Sequence, residues 1–387
     1  RELESRWGLM EREFAAARTG RGNQLSAGDQ SRVRILANRQ LRFRSDEPGK
    51  IRFVENEVVV TISKGSALAS KVKAFLQPDT RAKVEVAFDM PGLQVASIED
   101  STRSTGATLF RFPQGANVAY DARGGSVAAS ETTLLDAGSY SNEIDGIVFA
   151  GGSTMGLGAG DGVRQAIFGS RAGAAGAFDM IPSVPTAVVY DFGGRLMSPG
   201  TDALVYPTAA MGEQLMNHLR SSFSMGRAGA GRSTTANKIS SEGGAIWGGQ
   251  GAAFGQYRWG RIFVAVVVNP VGDILHNGTS LSVKIKKLAQ SGGSAAKQNT
   301  TLSLVVTDVQ LDRNQLNRLS KSVHTNMAQT ISPFHTYHDG DINFAASLAK
   351  DGRPVDENVE WFLTQEASRL MKEAILGAVK TANGVKP

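Results

Sequence analysis

The chain has 387 residues, 41% hydrophobic and 20% charged, enough for a packed core in one large domain or two smaller ones. It contains no cysteine, which excludes disulfides, thiol nucleophiles and cysteine-held metals. Its net charge of +6 is mild for this size, and no apolar run reaches the length of a membrane span, so neither nucleic acid nor a membrane is expected as a partner.

Residues 1–19 read as an amphipathic helix, with Leu3, Trp7, Met10 and Phe14 at spacings of three and four and Gly20 as a stop. Residues 21–50 are polar and basic, an arm in which Arg32, Arg34, Arg42 and Arg44 alternate with Val33, Ile35, Leu41 and Phe43 in a strand-like pattern. Strands are predicted at 58–62 and 84–88. Near residue 100 the texture changes to glycine-punctuated β and α segments, so the domains are predicted as 1–100 and 101–387. Further strands are predicted at 107–112, 146–150, 186–192, 262–268 and 302–309, and helices at about 160–170 and 209–220. Ile262 to Val268 is a continuous apolar, largely β-branched run, the pattern of a strand buried on both faces. Asp312 reads as an N-cap, followed by a helical face of Leu316, Leu319, Val323 and Met327. A last helix starts at Asp356, its stripe including Val359, Phe362, Leu363, Leu370, Met371 and Ala374. Strands buried on both faces, interleaved with amphipathic helices, imply an α/β fold with helix-covered sheets. The sequence begins at Arg1 rather than Met; a cytoplasmic location is expected, with periplasm and secretion left open.

Several motifs invite chemistry. Gly156-Leu157-Gly158-Ala159-Gly160 opens a helix but lacks dinucleotide spacing, and Gly226 to Ser233 imitates a phosphate loop with Arg232 where a lysine is needed. Glycines that let backbone pass close to a site explain both better. His335, His338, Asp339 and Asp341 resemble a metal set, but Pro333 precedes them, Gly340 interrupts them, and His218, His276 and His324 stand apart. Asp339-Gly340-Asp341 reads either as an acidic turn or as a carboxylate pair placed to hold an ammonium group. Lys238 reads as a solvated lysine, Asn269 as a turn former or an oxyanion donor at a strand end, and Tyr190 as a core tyrosine. No Gly-x-Ser-x-Gly elbow is present. The most informative stretch is Lys297-Gln298-Asn299-Thr300-Thr301, between the loose loop 290–296 and a strong strand. A cut between Asn299 and Thr300 would give Thr300 a free α-amine beside its own hydroxyl, and that amine can serve as the hydroxyl's general base.

An ordered set of motifs then carries a resemblance. Asp121-Ala122-Arg123-Gly124-Gly125, Ala150-Gly151-Gly152, Gly226 to Gly231, Gly249-Gln250-Gly251, Asn269-Pro270-Val271-Gly272, Asn299-Thr300-Thr301 and Pro333 to Asp341 occur in that order. Over roughly residues 104–346 they resemble the nylon-oligomer hydrolases, 6-aminohexanoate-oligomer endohydrolases grouped with the D-aminopeptidases and β-aminopeptidases. The resemblance implies a four-layer αββα sandwich of the N-terminal-nucleophile hydrolase type, self-cleavage between Asn299 and Thr300, and homo-oligomers, often tetramers. It implies Thr300 as nucleophile, Asp339 and Asp341 as holders of its ammonium group, and Lys238 beside its hydroxyl. Asn269 becomes the oxyanion donor and Tyr190 a substrate-positioning residue. The substrate class is a linear oligoamide, and no cofactor or metal is needed. Thr300 with the Asp339/Asp341 pair favours the endohydrolase branch. A D- or β-aminopeptidase is the alternative, and an acyltransferase or a non-enzymatic binding protein on the same fold are remoter ones.

Overall fold

The computed structural model describes residues 84–387 apart from 137, 174–175, 177–178, 196–201, 203, 239–244, 286–298 and 350–353, together with the backbone of four strands between 30 and 63. The helix expected at 1–19 lies outside the described residues. The chain divides into two units, Arg1–Arg81 and Ala82–Pro387.

In the first unit, β1 (Gln30–Leu36), β2 (Leu41–Arg44), β3 (Ile51–Val54) and β4 (Glu57–Ser63) form an antiparallel sheet in the order β2-β1-β4-β3. The strand-like alternation within the basic segment is therefore a ladder, with Val33 and Ile35 in register with Val60 and Val58. Much of the expected arm is thus sheet.

The second unit begins with β5 (Glu85–Ala87), β6 (Gln94–Glu99), β7 (Gly106–Arg123), β8 (Ala129–Ser130) and β9 (Glu143–Ala150). The helix α1 (Gly158–Ser170), β10 (Thr186–Val188) and the helix α2 (Ala209–Leu215) follow. After β11 (Ser222–Ser224), β12 (Thr235–Ala236) and β13 (Ile246–Trp247) come the long strands β14 (Gln250–Tyr257) and β15 (Gly260–Val267). Short β16 (Asp273–His276) and β17 (Thr279–Ser280) precede β18 (Leu302–Thr307), α3 (Arg313–Asn326), β19 (Ile331–Ser332), β20 (Asp341–Ser347) and α4 (Glu357–Ala382). The domain boundary expected near residue 100 is corrected: β6 is paired along its whole length with β7, which ties residues 94–99 to the second unit.

Nine strands share one ladder in the order β14-β15-β18-β20-β7-β9-β10-β8, with β6 also on β7. The strand expected at 107–112 is far longer than predicted. Pro113 and Gly115 look like a break in the sequence. In the structure Gly115 takes φ +76° and the register with β9 shifts between Arg111 and Ala116, so the strand bends instead of ending. Its first half pairs with β6 and β9, its second half with β20. β7 thereby joins two half-sheets whose inner faces meet: Phe110 and Phe149 from one side share a buried cluster with Phe263, Leu304 and Phe344 from the other. Outside one half-sheet, Leu316, Leu319 and Val323 of α3 and Leu370, Met371 and Ala374 of α4 cover Ile262, Val264, Val266 and Val305. Outside the other, Ala159, Val163 and Ile167 of α1 and Leu215 of α2 cover Leu109, Val148 and Ala150. Helices, half-sheet, half-sheet, helices: this is the four-layer αββα arrangement the motifs implied, with the two sheets fused through β7.

Period-two alternation explains β15. Ile262, Val264 and Val266 enter the helix-facing core while Phe263, Ala265 and Val267 enter the inter-sheet core. Burying each of the Ile, Val and Phe side chains fully is worth about 1.5–3 kcal/mol. Asp312 caps α3 in a reciprocal capping box with Gln315, and Asp356 caps α4. Phe362 was expected in the stripe of α4 but is exposed beside Trp361. Position 363 carries the buried contact instead.

Candidate active site

The site lies where β15, β18 and β20 terminate together. β18 and β20 run parallel from Leu302↔Ile342, and the residues before them continue side by side: Asn299 bridges Asp339, and the Ile342 N–H donates to the Thr301 carbonyl at 3.1 Å. Asn269 follows β15 by two residues. Its backbone carbonyl accepts from the Thr300 N–H at 3.0 Å and from Lys238 Nζ at 2.9 Å. Thr300 and Lys238 therefore share one oxygen.

The Asn299–Thr300 peptide is buried and held at both ends. The Asn299 N–H donates to the His338 carbonyl at 3.1 Å, and the Thr300 hydroxyl donates to the Asn299 carbonyl at 2.5 Å. The same carbonyl accepts from the Gly340 N–H at 2.7 Å. Sequence reading placed Asp339 and Asp341 here but overlooked the backbone donor between them. Gly340 is required by proximity: a Cβ there would lie 2.4 Å from the Ser126 carbonyl oxygen and 2.8 Å from Thr300 Oγ1. Gly124 serves the same loop. Its φ is +91°, and a Cβ would approach the Asp339 carbonyl oxygen to 2.3 Å.

Both carboxylates are completely buried. Asp339 accepts from the Val271 N–H at 3.1 Å, and from the Thr336 N–H and hydroxyl at 3.0 and 2.6 Å. Asp341 accepts from the Thr301 N–H at 2.7 Å, and from the His335 N–H and Nδ1 at 3.1 and 2.9 Å. Burial pushes the Asp341 carboxyl up to about 6; His335 pulls it down and Asp339 adds to the rise.

Lys238 is not the solvated lysine its sequence context suggests. The residue is half-buried, with its ammonium end enclosed, and Nζ also donates to Asn269 Oδ1 at 3.0 Å. Desolvation lowers it to about 7, against the pull of Asp339 and Asp341. The neighbouring Asn237 holds φ +57°.

Asn269 Oδ1 also accepts from the Thr235 N–H at 3.1 Å, while Nδ2 donates to the Tyr190 backbone carbonyl at 3.0 Å. One amide N–H is thus committed to orientation and the other has no partner among the described residues. Tyr190 stands beyond the end of β10, shorter than the strand predicted at 186–192. The chain turns there because Asp191 binds inward: it accepts from the Thr105 hydroxyl at 2.6 Å and the Gly152 N–H at 2.9 Å, and pairs with buried Arg195 at 2.5 Å. Burial raises the Asp191 pKa in spite of that arginine. The structure brings the Tyr190 carbonyl to Asn269, while its ring lies against Phe192 with centroids 5.2 Å apart.

His324, which stands apart in the sequence, is beside the site. Its ring is 4.3 Å from that of His335, and Nδ1 is 2.8 Å from Asp121 Oδ2. No spacing rule connects residues 121, 324 and 335; only the pairing of β7 with β20 and the packing of α3 bring them together. Among the described residues no three His, Asp or Glu side chains are arranged to hold a metal, and no helix is long and apolar enough to cross a membrane. The glycines of the false phosphate loop serve close packing: a Cβ at Gly229 would meet Thr108 Oγ1, and one at Gly231 the Gln250 nitrogen.

The model of Peptidase family S58 matches residues 86–387. The chain is 35% identical over 320 residues to a 6-aminohexanoate-oligomer endohydrolase of Kocuria sp. (strain KY2), covering 76% of this chain and 85% of that protein. It is 36% identical over 279 residues to the protein of the same description from Paenarthrobacter ureafaciens, covering 67% and 74%. Among solved structures it is similar to a β-aminopeptidase of Burkholderia sp., with a TM-score of 0.59 at 16% identity over 78% of this chain and 89% of that one. It is also similar to the L-aminopeptidase D-Ala-esterase/amidase of Ochrobactrum anthropi, described as a variant of the Ntn hydrolase fold, with a TM-score of 0.59 at 17% identity over 79% and 89%. These two likenesses show the fold.

Proposed function

From the premise that the chain belongs to peptidase family S58 and is a hydrolase of amide bonds, we propose that it cuts itself between Asn299 and Thr300 and then uses Thr300 as an N-terminal nucleophile on linear oligoamides. The observation that carries this reading is the Asn299–Thr300 peptide itself, whose carbonyl oxygen receives both the Thr300 hydroxyl and the Gly340 N–H. A carbonyl polarised by a fixed donor, with a hydroxyl against it, is arranged for an N-to-O acyl shift. Thr300 Oγ1 bonds to the Asn299 carbonyl carbon, the C–N bond breaks, and the departing nitrogen takes up a proton. Water then hydrolyses the ester, leaving a carboxylate on Asn299 and a free amine on Thr300.

In turnover the new amine takes the hydroxyl proton as Thr300 attacks an external amide. An unperturbed α-amine titrates near pH 8, close to a useful base. Asp339 and Asp341 hold the ammonium form, Lys238 favours the alkoxide, and the uncommitted Asn269 N–H faces the developing oxyanion. The Tyr190 carbonyl keeps that amide oriented. The leaving amine takes the proton, and water releases the acyl group.

The substrates we infer are oligomers of flexible ω-amino acids such as 6-aminohexanoate, the units named for the endohydrolase relatives. Intact mass under denaturing conditions tests the first half: two species, 1–299 and 300–387, are expected. One species near 41.0 kDa after long incubation overturns it. N-acylated 6-aminohexanoate oligomers test the second half. Their hydrolysis supports endo cleavage, and hydrolysis only of free-amine oligomers supports an aminopeptidase.

A further inference from the structure

We propose that His335 is a positioning residue that shares a proton with Asp341, backed by the buried Asp121–His324 pair, and so sets the charge presented to Thr300. The proposal rests on the reading of Thr300 as nucleophile and adds a residue to it.

The geometry is specific. His335 sends two donors, its backbone N–H and Nδ1, to the same Asp341 oxygen, at 3.1 and 2.9 Å. To do so it holds φ +58°, a left-handed conformation that costs a bulky residue about 1 kcal/mol or more. The other Asp341 oxygen accepts from Thr301, the residue next to the nucleophile. Behind His335, the His324 ring stands edge-on at 76°, and Phe334 stacks on the His335 ring with centroids 3.8 Å apart. His324 is fully buried, and its partner Asp121 is also paired to Arg123 at 2.7 Å.

Neither His324 Nε2 nor His335 Nε2 has a hydrogen-bond partner among the described residues. Among the described residues, the hydrogen bond of each ring is therefore the one from Nδ1 to a carboxylate. The hydrogen bond between His335 Nδ1 and Asp341 already holds one proton, and that is the proton the pair shares. It is not passed back to His324, which desolvation holds down near 4 against the pull of Asp121. The charged groups around Asp341 are Asp339 and Lys238 in front and His335 beside it, with Asp121 and Arg123 behind His324. His335 is the one whose ring binds the carboxylate directly.

The test compares the pH dependence of self-cleavage and of oligomer hydrolysis in wild type, His335→Asn and His335→Ala. Asparagine tolerates the left-handed backbone and offers a neutral N–H, but does not titrate. The acid limb is expected to move upward in both variants, with about a tenfold loss at pH 6 in His335→Ala and a smaller loss at pH 8. Superimposable limbs overturn the proposal, as does full restoration by asparagine. Nitrogen shifts of His335 and carboxyl carbon shifts of Asp341 in the Thr300→Ala protein give a readout that needs no change at 335. One shared titration step is expected, and an imidazole that stays fixed while Asp341 titrates overturns the idea. If wild type never cleaves, the Thr300 reading fails instead.

Discussion

The Gly340 N–H donates at 2.7 Å to the carbonyl oxygen of Asn299, the residue whose peptide bond carries Thr300. A strand-edge amide has become an electrostatic donor because Asn299 and Asp339 form a parallel bridge just ahead of the β18–β20 ladder. Ladder geometry thus adds a backbone donor to the Thr300 hydroxyl on the carbonyl of the bond proposed for cleavage.

Gly340→Ala tests that relationship. The new Cβ would press on the Ser126 carbonyl oxygen at 2.4 Å and on Thr300 Oγ1 at 2.8 Å, forcing the 339–341 segment away. Losing an aligned oxyanion donor costs about 10²–10³ in rate. Self-cleavage slowed at least about a hundredfold in a folded protein is expected in a denaturing-gel time course. Cleavage at the wild-type rate would remove Gly340 from the chemistry.

Thr300→Ala is expected to stay uncut and inactive, while Thr300→Ser retains cleavage at a reduced rate because the hydroxyl survives without its methyl. Mass spectrometry of the denatured proteins distinguishes the three forms. An alanine variant that still splits at 299/300 would rule out Thr300 as the nucleophile.

The pH profile of oligomer hydrolysis is expected to be a narrow bell. Asp341, raised to about 6, must be ionised to hold the Thr300 ammonium, so activity falls as pH drops through that value. Lys238, lowered to about 7, must be protonated to favour the alkoxide, so activity falls as pH rises through that value. Lys238→Met should remove most activity and abolish the alkaline limb. A rate that climbs through pH 7 in wild type but not in Lys238→Met would make neutral Lys238 a base instead, because a climb kept in the variant belongs to the Thr300 amine.

His324 links the site to stability. Its pKa is lowered to about 4 in the folded chain, so between pH 6.5 and 4 the unfolded state binds more protons and stability falls as pH falls. Asp341, raised to about 6, works in the opposite sense between pH 4 and 6. Converted at about 1.4 kcal/mol per unit, each amounts to about 3 kcal/mol. Replacing His324 by Asn should remove the first effect, so the variant loses less stability than wild type between pH 7 and 4.5 in urea titrations. Equal losses would contradict a buried neutral imidazole.

Phe263 tests the inter-sheet core. It is fully buried, with ring centroids 4.8 Å from Phe88 and 6.2 Å from Phe223. Phe263→Ala should cost about 3–5 kcal/mol in denaturant unfolding, mostly as cavity and lost transfer energy. A cost under about 1 kcal/mol would mean that the two half-sheets do not close on this ring.

What was readable from the sequence was local. The apolar run Ile262 to Val268 specifies a strand with two buried faces, because period-two alternation leaves no polar side to expose. Asp312 ahead of the face Leu316, Leu319, Val323 and Met327 specifies a helix start, because its side chain satisfies an end amide. Thr300 ahead of Leu302 to Thr307 marked the candidate nucleophile, and the ordered motifs carried the family and its layered fold. The tertiary structure alone decided the rest. It carried β7 through Pro113 and Gly115, withdrew the Lys238 ammonium from water, placed the Gly340 N–H on the Asn299 carbonyl, and set Asp121, His324 and His335 in line behind Asp341. Those facts depend on strand register and desolvation between residues up to two hundred positions apart, and local spacing carries neither.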